Sequence, residues 1–158
     1  MAYSYFDFRD TEKKHLRGLL FSLIFQLSSE SDPCYQILSR LYSDHAGGMR
    51  EPSEDPLSQC PVEMLKVSER PAMYIIIDVL DECPNLSGMP TAREQVLDFL
   101  EDLVKLNLSN VHTCVSSRSE IDIRNTLLLL EPFCMSLHDE SGQKADISSY
   151  ISAVVTRM

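Results

Sequence analysis

The chain has 158 residues, 24 of them acidic and 14 basic, for a formal charge of −10. Apolar residues make up 44%, which excludes a disordered acidic tail, and the length suits one domain that buries about two thirds of its unfolded surface. So acidic a chain has no overall field that attracts phosphate backbones or anionic lipids, which argues against a general nucleic-acid binder or a membrane-surface binder.

The most apolar stretch, Leu19-Leu20-Phe21-Ser22-Leu23-Ile24-Phe25, is far short of the ~20 residues a membrane helix needs. The N-terminus has neither the basic region nor the apolar region of a secretory signal. Five cysteines, Cys34, Cys60, Cys83, Cys114 and Cys134, are widely spaced and form no Cys-x-x-Cys. That pattern fits a reducing, cytoplasmic setting and speaks against a disulfide framework or a zinc knuckle. His15, His45, His112 and His138 are also scattered, so no metal site built from clustered protein ligands is expected.

In chain order, residues 3–8 alternate and are aromatic, which predicts a strand. Asp10 or Thr11 can cap a following helix, whose apolar face is Leu16, Leu19, Leu20, Leu23, Ile24 and Leu27 at spacings of three and four. Ser31 or Asp32 caps the next helix, with Pro33 in its first turn and Ile37, Leu38 and Leu41 as its stripe. Residues 45–56 hold Gly47, Gly48, Pro52 and Pro56 among charges and read as a flexible loop. A short helix over 57–67 follows, with Pro61 near its start.

Tyr74-Ile75-Ile76-Ile77 is continuous rather than alternating, which predicts a strand of a parallel sheet buried on both faces. A helix over 92–106, with Val96, Leu97, Leu100, Leu103 and Val104 inward, leads to a second buried strand over 111–116. A short helix over 120–128, a third buried strand over 133–137 and a terminal helix over 145–155 complete the order. Strands and helices in alternation predict an α/β fold, a parallel sheet flanked by helices with right-handed crossovers.

Two features carry chemistry. Asp78 directly follows a buried strand, with Asp81 and Glu82 three and four residues on. An acid at the carboxyl edge of an open α/β sheet sits where ligands bind, and such an aspartate holds Mg²⁺ together with waters and substrate phosphates. A nearby Glu can orient an attacking water. The alternative is an acid that only caps a loop. The second feature is Cys114-Val115-Ser116-Ser117-Arg118, ending the next strand. Its hydroxyls and guanidinium suit a γ-phosphate; the alternative is that Arg118 pairs with Glu120 or Asp122. Smaller candidates are weaker. His138-Asp139-Glu140-Ser141 is contiguous and has no nucleophile elbow, Cys83 reads as a plain thiol, and Leu127 to Leu130 read as core or a helix end.

At these residues the chain resembles the NACHT domains of STAND-class P-loop NTPases, and among them the fungal proteins of nephrocystin-3-like type. Tyr5-Phe6-Asp7-Phe8 resembles the strand after the phosphate-loop helix, and residues 16–27 resemble the helix that follows it. Tyr74 to Cys83 resembles the extended Walker B segment, and Ser117-Arg118 the sensor-1 position. The resemblance implies that Asp78 is the Mg²⁺ ligand, that Asp81 and Glu82 are the catalytic acidic pair, and that Ser117 and Arg118 contact the nucleotide, ATP or GTP.

Three departures accompany the likeness. No Gly-x-x-x-x-Gly-Lys-[Ser/Thr] occurs, Val79 stands where the family usually has Gly or another small residue, and Ser119 replaces the usual proline. The resemblance places the phosphate-loop strand between strands 111–116 and 133–137, so a chain lacking it is expected to be marginal alone and prone to associate. The expected function is therefore a partial nucleotide-binding signalling switch, not hydrolytic by itself. The alternatives are a decayed interaction module that pairs with full-length relatives, or the non-functional product of a truncated gene.

Overall fold

A computed structural model describes residues 1–7, 9–67, 72–85 and 90–130. The expected strand over 133–137, the terminal helix over 145–155, Cys134 and the 138–141 segment lie outside the described residues.

The elements run β1 (Ala2–Tyr5), α1 (Leu16–Ser28), α2 (Asp32–Asp44), a 3₁₀ turn (Ala46–Gly48), α3 (Glu54–Leu65), β2 (Met73–Asp78), a second 3₁₀ turn (Leu80–Glu82), α4 (Ala92–Lys105), β3 (Val111–Val115) and α5 (Ile121–Leu129). The three strands form one parallel sheet in the order β1-β2-β3, with Ala2 opposite Ile75 and Ile75 opposite Thr113. The fold is α/β, a parallel sheet flanked by helices, as the alternating pattern predicts. None of the described helices is long and apolar enough to cross a membrane.

The six apolar residues of the α1 stripe are all buried. They pack with Leu57, Met64 and Leu65 of α3, with Ile75 and Ile77 of β2, and with Val96, Leu97 and Leu100 of α4 in a single core. Each fully buried Leu or Ile contributes roughly 1.5–3 kcal/mol by leaving water.

Several local expectations change. The cap of α1 is His15 rather than Asp10 or Thr11, and residues 11–15 form turns before it. Ser31 takes the N-cap position of α2 without a side-chain cap bond, and Cys34 is the buried residue of the helix, while Ile37, Leu38 and Leu41 are half-buried. The glycine-rich loop holds a helical turn, and its last residues already belong to α3. Val104 is exposed, because Phe99 and Arg93 take the inward positions of α4 with the other expected residues.

The strands are not buried on both faces. In β2, Met73, Ile75 and Ile77 are buried while Tyr74 and Asp78 are exposed. In β3, His112 and Cys114 are exposed. The reason is topological. Strands that step in one direction through right-handed crossovers place every connecting helix on the same face. The other face carries Tyr3, Tyr5, Tyr74 and His112, and the rings of Tyr74 and His112 stack with centroids 5.1 Å apart.

The two sheet edges differ. At the β1 edge, the Gln26 side-chain amide accepts from the Tyr3 N–H at 3.1 Å and donates to the Tyr3 carbonyl at 2.6 Å. The Ser22 hydroxyl donates to the same carbonyl at 3.1 Å. Two α1 side chains thus occupy the outward backbone groups of Tyr3, which an added strand would otherwise use. Among the described residues no strand lies beyond β3.

Candidate functional site at the carboxyl edge of the sheet

Parallel pairing puts the carboxyl ends of β2 and β3 side by side, with Ile77 opposite Val115. Asp78 ends β2 with its side chain exposed. Val79 then turns the chain in the left-handed region, at φ 57° and ψ 45°. A β-branched residue is rare there, because its Cβ substituents crowd the backbone. The turn Leu80–Glu82 follows, with Leu80 fully buried as its anchor.

Ser116 stitches the two strand ends together. Its N–H donates to the Ile77 carbonyl at 2.9 Å, and its carbonyl accepts from the Leu80 N–H at 3.0 Å. Its hydroxyl accepts from the Val79 N–H at 3.1 Å and donates to the Asp78 carboxylate. The left-handed turn at Val79 is thus held by hydrogen bonds to the neighbouring strand, and the same hydroxyl orients Asp78.

Two residues further on, Arg118 meets Asp81. The Arg118 N–H donates to Asp81 Oδ1 at 2.9 Å, and Arg118 Nε lies 3.3 Å from Oδ2. The Asp81 side chain is only 5% exposed, whereas that of Arg118 is 83% exposed. The alternative, in which Arg118 pairs with Glu120 or Asp122, is not what the structure shows. Those two acids serve another arginine, and Arg118 reaches back across the edge to Asp81. Ser117 is exposed and donates to the Arg118 carbonyl at 2.9 Å. Glu82 is half-buried in the same turn as Asp81.

The other arginine is Arg93, in the first turn of α4, with a side chain 5% exposed. Its Nε donates to the Cys83 carbonyl at 2.9 Å and an Nη to the Asp81 carbonyl at 2.7 Å. The other Nη pairs with Asp122 at 3.1 Å and with Glu120. Burial alone would lower the Arg93 pKa, but the hydrogen bonds it donates to these carboxylates raise it above the usual value. Beside it, burial pushes the Cys83 thiol up to about 11.

Sequence reasoning missed Arg93, the bonds by which Ser116 joins the two strand ends, and the backbone strain at Val79. A first-turn arginine opposes the helix dipole, and from sequence alone it reads as a solvated charge. The accompanying signal was nevertheless present. Thr91-Ala92-Arg93-Glu94 fits the capping-box pattern, and the structure forms both of its bonds. That fixes where α4 starts and hence which face Arg93 occupies.

Among the described residues no group of three or more His, Cys, Asp or Glu side chains could hold a metal ion. A site for Mg²⁺ built from one carboxylate plus phosphates and waters makes a smaller demand, and exposed Asp78 beside the Ser116 hydroxyl fits it. The arrangement offers an oriented carboxylate and an exposed guanidinium on adjacent strand ends.

The family model described as nephrocystin 3, N-terminal, matches residues 1–118. That is most of the chain, which therefore belongs to this family. No curated protein and no solved structure matches.

Proposed function

We propose that this member of the nephrocystin 3 N-terminal family is part of a NACHT-type nucleotide-binding switch of the STAND class of P-loop NTPases. The chain supplies the Mg²⁺ and sensor side of the site. Asp78 holds the ion, Asp81 and Glu82 form the acidic pair, and Ser117 and Arg118 face the terminal phosphate of ATP or GTP. One observation carries the reading: the Asp78 turn and the Arg118 loop lie side by side at the carboxyl edge of a parallel sheet, in direct contact through Asp81 and Arg118. That edge is the ligand-binding side of open α/β folds. Bound Mg²⁺ would neutralise charge on the phosphates, while the chain's own residues bind and orient.

The chain does not hydrolyse nucleotide alone. Positioning and electrostatics supply nearly all of phosphoryl-transfer catalysis, and the sequence contains no Gly-x-x-x-x-Gly-Lys-[Ser/Thr] to cradle the phosphates. Calorimetric titration with Mg²⁺-ATP and Mg²⁺-GTP tests the assignment. Weak, Mg²⁺-dependent binding that Asp78→Asn abolishes is expected. Binding indifferent to Mg²⁺ and to Asp78→Asn removes the assignment.

A second reading, an interaction module that pairs with relatives, is favoured by the exposed Tyr3, Tyr5 and Tyr74 on one face of the sheet. Parallel sheets are nearly always covered on both faces. Association independent of nucleotide supports this reading.

A further inference from the structure

Arg93 breaks two local rules. It is a buried charge, and it is a cation at a helix N-terminus, where the dipole favours anions. Such violations concentrate where function demands them. The contacts of Arg93 show what it does. Its guanidinium donates to the carbonyls of Asp81 and Cys83 on the turn after β2. It also pairs with Glu120 and Asp122 on the segment after β3. A second strut runs in parallel: Asn85 Nδ2 donates to Asp122 at 2.9 Å, and the Thr91 hydroxyl donates to Asn85 at 3.0 Å. One planar fork therefore spans the two loops that bear Asp81 and Arg118.

We propose that Arg93 is a positioning residue that fixes the separation of these two loops and so holds the Asp81–Arg118 pair closed across the carboxyl edge. The closed pair ties up the Nε–H of Arg118, one of the donors that a phosphate would otherwise engage, while the rest of the guanidinium stays exposed. Opening it frees Arg118 for an oxyanion and Asp81 for a compensating cation, so Arg93 sets how readily the edge accepts Mg²⁺-polyphosphate. The last step rests on the nucleotide reading above; the closure itself does not. Lysine cannot replace Arg93, because one ammonium cannot bridge two carbonyls and two carboxylates in a fixed fork.

The test uses the full chain labelled with ¹⁵N, with Arg93→Lys as the main variant and Asp122→Asn as a milder one that retains Arg93. The Arg118 backbone amide and Nε–H resonances report the pair, and Mg²⁺-tripolyphosphate is the probe. In both variants the Arg118 resonances are expected to move toward their positions in Asp81→Asn, which lacks the pair, while the core resonances of Leu23 and Ile75 stay in place. Probe affinity is expected to rise several-fold in Arg93→Lys. Unmoved Arg118 resonances in folded Arg93→Lys overturn the positioning role. If Arg93→Lys fails to fold, the same null result in Asp122→Asn overturns it. Moved resonances without probe binding in any variant support the closure and overturn the nucleotide reading alone.

Discussion

Val79 shows most sharply how chemistry at one residue constrains the site. Its left-handed conformation, at φ 57°, costs a β-branched side chain on the order of 1–3 kcal/mol. Glycine adopts that region freely but gives back part of the gain as unfolded-chain entropy. Val79→Gly is therefore expected to stabilise the chain by about 1 kcal/mol in urea titration. The thiols give a second prediction. Burial pushes Cys60 and Cys83 up to about 11 from 9.0, so both stay protonated in the folded state while the unfolded chain ionises. Folding stability should thus fall as pH rises from about 9 and level off near 11. At pH 8 a thiol reagent should modify exposed Cys114 fast and these two slowly. Equal rates would contradict the burial.

Among the elements, α1 is the most legible in sequence, because six apolar residues at helical spacing can only serve one buried face. The strands were harder. A run such as Tyr74 to Ile77 looks the same whether one sheet face is covered or two, since the covering layer is not local information. Arg93 was illegible for a similar reason, as its partners sit on two distant loops. Gly18 illustrates a constraint that becomes visible only in packing. A Cβ there would lie 1.8 Å from the Glu12 carbonyl oxygen, so the turns before α1 pass directly over the helix. Gly18→Ala must displace backbone, and a loss of roughly 1–3 kcal/mol is expected. An unchanged urea midpoint would mean that the 11–15 turns do not seat on α1.

For the whole molecule, a parallel sheet with one exposed aromatic face predicts concentration-dependent association. Sedimentation should show it in the chain, and Tyr74→Lys, on the exposed face, should weaken it. A strictly monomeric chain at high concentration would contradict this. The α/β class and the two loops of the candidate site were readable from chain order, because an acid or an arginine directly after a strand must lie at the carboxyl edge. Their mutual contact was not readable, since it depends on strand order and on the Arg93 fork.

The central assignment concerns that edge, and paramagnetic broadening by Mn²⁺-ATP in the ¹⁵N-labelled chain tests it most directly. Broadening that requires ATP, centres on residues 78–82 and 116–118, and disappears in Asp78→Asn is the expected result. Broadening spread over other surface acids, or unchanged by Asp78→Asn, would contradict the placement of a nucleotide–metal site at the ends of β2 and β3.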